Sequence, residues 1–327
     1  MATIKDVCAY TGLALGTVSK YINGLNVRPE NKHLLDEAVL TLGYRVNHAA
    51  RNLKQSRTNT IGVMISVAAT SQYADMLSSL EEALQAGGYA CTIISCPPEH
   101  ARICQKIQKL IGTVDGIMLI CNSVTAAELH NACGELPIIL INHAIPYFLC
   151  DTILVDYRRA AQKAVTHLLE LRHERIGLVA GRVSAAIESD PCASYLSALS
   201  ERQLSIDPSL LAEGDDSFQF GYQAFHRLMH NSNPPTAILT TSYLLTIGAI
   251  AAAYERGISL EKDIGFVGFN GSGLSRLNSM SLTLVEQSLD LIGEAASKLM
   301  LLRLNGNREN YPAMMRFDAE LHTHLVG

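Results

Sequence analysis

The chain has 327 residues, 48% of them hydrophobic and 17% charged, so most of it should fold, and its length predicts two or three domains. A net charge of −5 excludes a protein that coats nucleic acid along its whole length. Charged residues interrupt the N-terminus and no apolar run approaches the roughly 20 residues that span a bilayer, so we expect a cytoplasmic protein without a membrane partner.

Basic residues are concentrated at the start of the chain. Residues 1–60 hold eight Lys or Arg and four Asp or Glu, a net of +4, so the remainder carries −9. A small basic head on an acidic body indicates that the head meets an anion such as nucleic acid. A chance fluctuation of charge is the alternative.

Three short helices are predicted within this basic segment. Thr3 can cap the first helix, with Asp6 as the acidic partner of a capping box. Gly12 permits a sharp turn before a second helix over 15–22, and a third helix is predicted over 29–42. A helix, a short glycine-bearing turn and a second helix are typical of the helix-turn-helix motif. The apolar side chains that could share one small core are Ile4, Val7, Cys8, Val18, Tyr21, Ile22, Leu34, Leu35, Ala38, Val39 and Leu42.

The second predicted helix has a side that does not face this core. Leu15, Gly16, Thr17, Ser19 and Lys20 lie off the packing face. They are small or cationic, as a helix that enters the major groove of DNA requires. A helical hairpin with a solvated face is the alternative interpretation.

The same segment carries strings that are specific to one family. They are TIKDV, TVSKYIN, LGY and the AR-x-L pattern that begins at Ala50, within a match from Ala2 to about Gly62. In them the chain resembles the DNA-binding head of the LacI/GalR family of bacterial transcription regulators. The resemblance implies base-reading positions at Leu15, Gly16 and Lys20, with Lys20 donating to guanine and Leu15 contacting a thymine methyl group. It implies phosphate or backbone contacts for Thr3, Thr17, Ser19, Asn23, Tyr44, Asn47, Arg51 and Lys54.

Two residues of the head depart from the family pattern. Gly16 has no side chain, so one usual reading position is expected to be silent. Ala14 stands where the family commonly has a capping serine, so we expect the second helix to lose about 1 kcal/mol of capping energy.

Residues 47–54 resemble the hinge helix of the same family. Asn47 can cap this helix, and Ala49, Ala50 and Leu53 form an apolar side that a single chain is too small to bury. In the family two such helices pair in the minor groove. By resemblance Ala50 and Leu53 enter that groove, and Leu53 unstacks a central base step at a cost of a few kcal/mol. An ordinary linker is the alternative, and residues 55–60 do look like one.

From residue 61 onward short apolar runs alternate with helical patterns. The runs that predict strands are 61–67, 90–96, 115–121, 137–142, 175–181, 237–241 and 264–270. The patterns that predict helices are 73–86, 99–110, 125–133, 157–171, 193–203, 219–230, 243–256 and 289–304. This alternation predicts parallel sheets covered on both faces, in two similar subdomains with a cleft between them.

Strings such as VDGIMLI, RIGLVAG and DIGFVGFN resemble the periplasmic-binding-protein-like core of the family. That fold crosses between subdomains three times, and we expect the crossings near Asp156, Gln287 and Pro312. The predicted organisation is an α/β protein with a helix-turn-helix domain over 1–46, a hinge and linker over 47–60, and an effector-binding and dimerisation core over 61–327. Within the core, one subdomain takes about 61–156 and 288–312, and the other takes about 157–287 and 313–327.

Ligands of such a core are expected in the cleft, at the carboxyl ends of the strands. The resemblance places seven effector-binding residues there, namely Tyr73, Asn142, Asp156, Ser242, Tyr243, Asn270 and Gln287. By resemblance, Val67 and Thr70 stand where the family frequently has Asp and Asn, and Pro191 stands where it commonly has Arg. Much of the charge that binds sugar hydroxyls is therefore absent, which leaves a pocket that is polar but nearly neutral. We expect a small-molecule effector that is not a plain hexose bound in the usual way. A degenerate pocket, or misalignment around Pro191, is the alternative.

No motif indicates an enzyme or a metal site. The glycine-rich stretch 267–273 is not G-x-G-x-x-G, and 181–185 is not G-x-S-x-G. The eight cysteines stand singly without zinc-ligand spacing, so we expect reduced, mostly buried thiols, no metal and no cofactor.

The combined prediction is a sequence-specific, DNA-binding repressor. It would bind a pseudo-palindromic operator in double-stranded DNA as a homodimer, under the control of the effector. The helices over 73–86 and 289–304 are candidate dimer surfaces because they carry more apolar residues than one face needs, although core packing could use them instead. A cytosolic solute-binding or sensing protein without operator binding is the alternative function.

Overall fold

A computed structural model describes residues 2–22, 25–44, 57–66, 73–96, 100–120, 124–181, 191–204, 207–260, 262–269 and 282–323. Internal contacts divide the chain into two compact units, Met1–Thr58 and Asn59–Gly327. Each unit has its own hydrophobic core.

The first unit contains three helices, α1 (Ile4–Thr11), α2 (Leu15–Ile22) and α3 (Pro29–Leu42). The predicted capping box opens α1, because the Thr3 amide donates to the Asp6 carboxylate at 2.7 Å and the Asp6 amide donates to the Thr3 hydroxyl at 3.4 Å. Gly12 follows α1 with a φ of 68°, in the left-handed region where glycine costs least.

The core of the first unit is small. Val7, Val18, Leu35 and Ala38 are fully buried, one or two from each helix. The side chains that pack around them are Ile4, Cys8, Leu13, Tyr21, Ile22, Val27, Leu42 and Tyr44. The expectation for Leu34 was wrong, since this residue is 43% exposed. Leu35, Ala38 and Leu42 lie three or four residues apart and share one face of α3, whereas Leu34 is turned away from it.

The second unit is an α/β structure. Its strands are β1 (Thr60–Ile65), β2 (Ala90–Ser95), β3 (Gly116–Leu119), β4 (Ile138–Ile141), β5 (Asp151–Asp156), β6 (Ile176–Gly181), β7 (Leu211–Gly214), β8 (Ala237–Thr240), β9 (Gly265–Phe269), β10 (Thr283–Gln287) and β11 (Met314–His322). Its helices are α4 (Ala74–Ala86), α5 (His100–Leu110), α6 (Ala126–Cys133), α7 (Tyr157–Glu170), α8 (Pro191–Glu201), α9 (Phe218–Met229), α10 (Tyr243–Glu255) and α11 (Leu289–Leu304). Buried strands alternating with helices agree with the predicted fold class.

The strands form two parallel groups joined by β11, in the order β2-β1-β3-β4-β5-β11-β10-β9-β8-β6-β7. The first half of β11 runs parallel to β5, with Asp318 opposite Asp156. The second half runs antiparallel to β10, with Ala319 opposite Gln287. The third crossing therefore lies between Asp318 and Ala319, and the expectation of a crossing near Pro312 was wrong.

A buried ion pair explains why the segment before β11 stays with the first group of strands. Arg303 donates to Asp151 through Nε at 2.7 Å and through a terminal nitrogen at 3.0 Å, and the two side chains are 3% and 0% exposed. The same carboxylate accepts the amide of Ala313 at 2.8 Å. Arg303 also donates to the carbonyls of Asn307 and Glu309. These bonds tie residues 303–313 to the start of β5.

The two helices that the sequence nominated as dimer surfaces pack on each other. A Cβ at Gly293 of α11 would lie 2.4 Å from the Met76 carbonyl of α4, so the helices approach backbone to backbone. The Ser297 hydroxyl donates to the Leu80 carbonyl at 3.0 Å across the same contact. Packing within the chain therefore accounts for the buried apolar residues of these helices, while Leu291 and Leu302 remain exposed.

One cysteine differs from the expectation of reduced thiols. Cys96, directly after β2, is disulfide-bonded. The other described cysteines are free, and they are Cys8, Cys91, Cys104, Cys133, Cys150 and Cys192. The expectation was therefore wrong at Cys96, because single spacing in the sequence does not exclude a bond between residues that the fold brings together.

Candidate functional site

The surface of α2 divides into a buried side and an exposed side. Val18 is fully buried in the core of the first unit. Leu15 is 54% exposed, and Gly16 and Lys20 are exposed with it. A Cβ at Gly16 would meet no atom within 4 Å, so nothing in the chain itself requires glycine there. The three predicted base-reading residues thus share an open face.

The predicted phosphate-contacting residues differ in their exposure and in their contacts within the chain. Thr17, Ser19 and Tyr44 are half-buried, and Tyr44 packs against the core. The Thr3 hydroxyl is engaged with Asp6 in the capping box. The other predicted DNA-contacting residues of the head and hinge lie outside the described residues, and they are Asn23, Asn47, Ala50, Arg51, Leu53 and Lys54.

A contact that the sequence reasoning missed fixes the orientation of α2. The Tyr21 hydroxyl donates to the Asp36 carboxylate of α3, and this bond raises the pKa of Tyr21 to about 12. Helical spacing in the sequence predicted only that Tyr21 lies on the packing face. Its partner lies 15 residues away, beyond the reach of helical periodicity.

The candidate effector site of the second unit begins at the carboxyl ends of the strands of the first group. Tyr73 immediately precedes α4, and Asn142 immediately follows β4. The Asn142 amide nitrogen donates to the Tyr73 hydroxyl at 3.2 Å. Asn142 has a φ of 63°, a left-handed conformation that asparagine tolerates. Its side-chain oxygen is buried and has no hydrogen-bond partner among the described residues.

The second group of strands contributes a similar arrangement. The amide of Gln287, the last residue of β10, lies beside the Tyr157 hydroxyl. The Gln287 side-chain oxygen is buried and, like that of Asn142, without a partner in the described part of the chain. The Tyr157 ring packs on Phe269 with the ring centroids 5.7 Å apart. Burial raises the pKa of both Tyr73 and Tyr157, so both phenols stay neutral.

A carboxylate faces these phenols, and the sequence analysis did not foresee it. Asp216 lies two residues after β7, and its carboxylate accepts a hydrogen bond from the Ser242 hydroxyl. Burial raises the pKa of Asp216, and the Asp216 charge in turn raises the pKa of Tyr73 and Tyr157. The pocket residues predicted from the sequence did not include this carboxylate. The sequence offered little signal, since Asp215 and Asp216 resemble an ordinary polar turn.

The remaining predicted effector residues take other positions. The Asp156 carboxylate caps α7 by accepting the Arg158 amide at 3.0 Å, and it lies at the first crossing. Tyr243 is the first residue of α10 and is half-buried. Asn270 lies outside the described residues. The structure thus brings Tyr73, Asn142, Ser242 and Gln287 to strand ends, together with the unpredicted Tyr157 and Asp216.

Among the described residues, no three His, Cys, Asp or Glu side chains are grouped so that they could hold a metal ion. No helix in the described part of the chain is both long enough and apolar enough to cross a membrane.

Comparison with known proteins gives consistent matches. Residues 58–317 match the family described as periplasmic binding proteins and sugar binding domain of the LacI family. The HTH-type transcriptional repressor PurR of Actinobacillus pleuropneumoniae serotype 3 is 29% identical over 326 residues, covering 98% of this chain and 97% of the relative. The ribose operon repressor of Haemophilus influenzae is 27% identical, covering 96% of each chain. The lac repressor dimer bound to operator and the anti-inducer ONPF has a TM-score of 0.85 at 22% identity, with 99% of each chain covered.

Proposed function

Because the chain belongs to the LacI family and is a DNA-binding transcriptional repressor with an effector-binding domain, we propose that it binds a pseudo-palindromic operator as a cytoplasmic homodimer. The observation that carries this proposal is the exposed face of α2, where Leu15, Gly16 and Lys20 lie opposite the buried Val18. A short helix with one side in a core and the other side open is the geometry that enters a major groove.

The roles of individual head residues follow from their chemistry. Lys20 donates to guanine O6 and N7, and Leu15 contacts a thymine methyl group. Gly16 contributes no base contact. Thr17, Ser19, Asn23 and Tyr44 contact or orient against phosphates, which fixes the register of the head on the duplex without reading sequence.

Two copies of the head are required for an operator. A two-fold dimer places two recognition helices on half-sites about one helical turn apart, so the operator mirrors the symmetry of the protein. In this proposal the hinge residues Ala50 and Leu53 enter the minor groove between the half-sites, and Arg51 and Lys54 contact the backbone there.

The effector acts through the cleft of the second unit. The three crossings lie side by side, because Asp318 is opposite Asp156 and Ala319 is opposite Gln287 in neighbouring strands. A ligand that contacts both Asn142 and Gln287 would favour one opening angle of the cleft about these crossings. Binding would therefore shift a two-state equilibrium that also governs how the two heads of the dimer meet DNA.

In-vitro selection of random duplex DNA by the purified full-length protein tests the proposed function. We expect a palindromic motif of roughly 14–20 base pairs, with half-sites about one helical turn apart. The Lys20→Ala variant, run in parallel, should select a motif with less information at the guanine position. If no motif emerges at moderate salt, the operator-binding function is wrong and the solute-sensing alternative takes its place.

A further inference from the structure

The cleft described above offers hydrogen-bond acceptors that the chain itself does not use. The Asn142 amide nitrogen donates to the Tyr73 hydroxyl at 3.2 Å, and the Gln287 amide lies beside the Tyr157 hydroxyl. The Asn142 amide therefore has a fixed orientation, with its oxygen as the free group. Both oxygens are buried and unpaired among the described residues, a state that normally costs free energy unless a further donor is supplied.

The third acceptor in the cleft is a carboxylate. Asp216 bonds to the Ser242 hydroxyl through Oδ1, which leaves Oδ2 without a partner in the described part of the chain. The residue retains exposed surface, yet the surrounding protein is dense enough that burial raises its pKa. A carboxylate that is both accessible and poorly solvated can accept a hydrogen bond from a ligand in the cleft.

No positive charge among the described residues neutralises Asp216. Within the described part of the chain, the charged neighbour that acts on it is Asp215, which has the same sign. A poorly solvated carboxylate without a cationic partner is unfavourable, and a protein normally supplies Lys, Arg or a metal ion to such a group. Here the missing positive charge can come from the ligand.

The two phenols specify the rest of the ligand. Tyr73 accepts the Asn142 amide hydrogen bond and keeps its own O–H as a donor, and the Tyr157 hydroxyl lies beside the Gln287 amide. Hydroxyl groups on a ligand can accept from these phenols and donate to the two amide oxygens. The tilted ring pair of Tyr157 and Phe269 supplies an apolar wall beside them.

We propose that the effector is a small hydroxylated organic cation, such as an amino sugar, and that Asp216 binds its ammonium group. This inference rests on the proposed function, since it assigns a chemical class to the effector of the same cleft. A charge-assisted hydrogen bond in a poorly solvated site should favour the amine over the corresponding neutral alcohol roughly tenfold to hundredfold.

Isothermal titration calorimetry with matched pairs of ligands tests the proposal. The pairs are glucosamine with glucose and galactosamine with galactose, and ribose serves as a neutral reference. We expect at least one amine to bind roughly tenfold or more tightly than its neutral partner. Asp216→Asn, which keeps the shape and the Ser242 contact, should abolish that preference, whereas Asp215→Asn should retain it. The proposal is overturned if no amine binds, if the neutral partners bind as well, or if Asp216→Asn preserves the preference.

The operator selection described above separates this inference from the proposed function. It uses the ligand-free protein and the Asp216→Asn variant, which alters no residue of the head. If both proteins select the same palindromic motif while the amine preference is absent, only the effector class is wrong. If neither selects a motif, the repressor function fails whatever the ligand experiments show.

Discussion

Replacing Arg303 by methionine should destabilise the second unit strongly. The variant leaves Asp151 fully buried with the Ala313 amide as its remaining described partner, after the loss of bonds of 2.7 and 3.0 Å to the guanidinium. Removing one partner of a buried pair costs about 3–5 kcal/mol, because the other charge stays buried without compensation. This loss is a large fraction of the free energy of unfolding of a typical domain, which is roughly 5–15 kcal/mol.

Urea denaturation, followed by far-ultraviolet circular dichroism, measures this loss. With a denaturant slope of about 3 kcal/mol per molar, the midpoint of unfolding should fall by about 1–2 M. The matched control is Lys298→Met on the same helix, which breaks the exposed pair of Lys298 with Glu294 and should cost under about 0.5 kcal/mol.

A second variant separates the buried charge from simple loss of packing. In Asp151→Asn combined with Arg303→Met, the asparagine oxygen can still accept the Ala313 amide, and no charge remains buried. This double variant should recover much of the stability lost by Arg303→Met alone. If Arg303→Met shifts the midpoint no more than Lys298→Met does, the account of the buried pair is wrong.

Three further predictions concern other parts of the molecule. Ala14→Ser should stabilise the head by about 1 kcal/mol, because the serine adds an N-cap to α2. The melting temperature of the first thermal transition of the full chain should rise, and an unchanged melting temperature would contradict the prediction. Leu53→Ala should reduce bending of operator DNA in a gel-mobility assay of circularly permuted fragments, and unchanged bending and affinity would remove Leu53 from the minor groove. Gly293→Val should separate α4 from α11, because its Cβ would lie 2.4 Å from the Met76 carbonyl. The urea midpoint of the second unit should fall, and an unchanged midpoint would contradict the close approach of the two helices.

Local patterns predicted the elements whose signals lie close together in the sequence. The three helices of the head follow from a capping box at Thr3, a glycine turn at Gly12 and apolar spacing, and the structure places them over the expected residues. The buried runs of β1, β3 and β4 are equally plain, because each has several apolar residues in succession. Such features depend on interactions within one or two turns of the chain.

Features that depend on distant contacts were not predictable in the same way. The third crossing lies within β11 because Asp151 and Arg303, 152 residues apart, anchor the preceding segment. The short strand β7 has little apolar character, so the sequence predicted neither this strand nor a role for the Asp216 that follows it. The Tyr21–Asp36 bond likewise joins a residue that the sequence assigned to the core with a carboxylate on another helix. In each case the residues in contact are far apart in the sequence, so the local pattern around either one does not predict the contact.

The measurement that tests the central claim most directly compares wild-type protein with Lys20→Ala on two duplexes, the selected operator and a scrambled sequence, by fluorescence anisotropy at fixed salt. If the exposed face of α2 reads bases, Lys20→Ala should cost about 1–3 kcal/mol on the operator and change binding to the scrambled duplex much less. Lys5→Ala, an exposed lysine of α1, is the matched control for loss of charge. Equal losses on both duplexes would contradict a base-reading role for Lys20 and would leave α2 as a non-specific contact with the phosphate backbone.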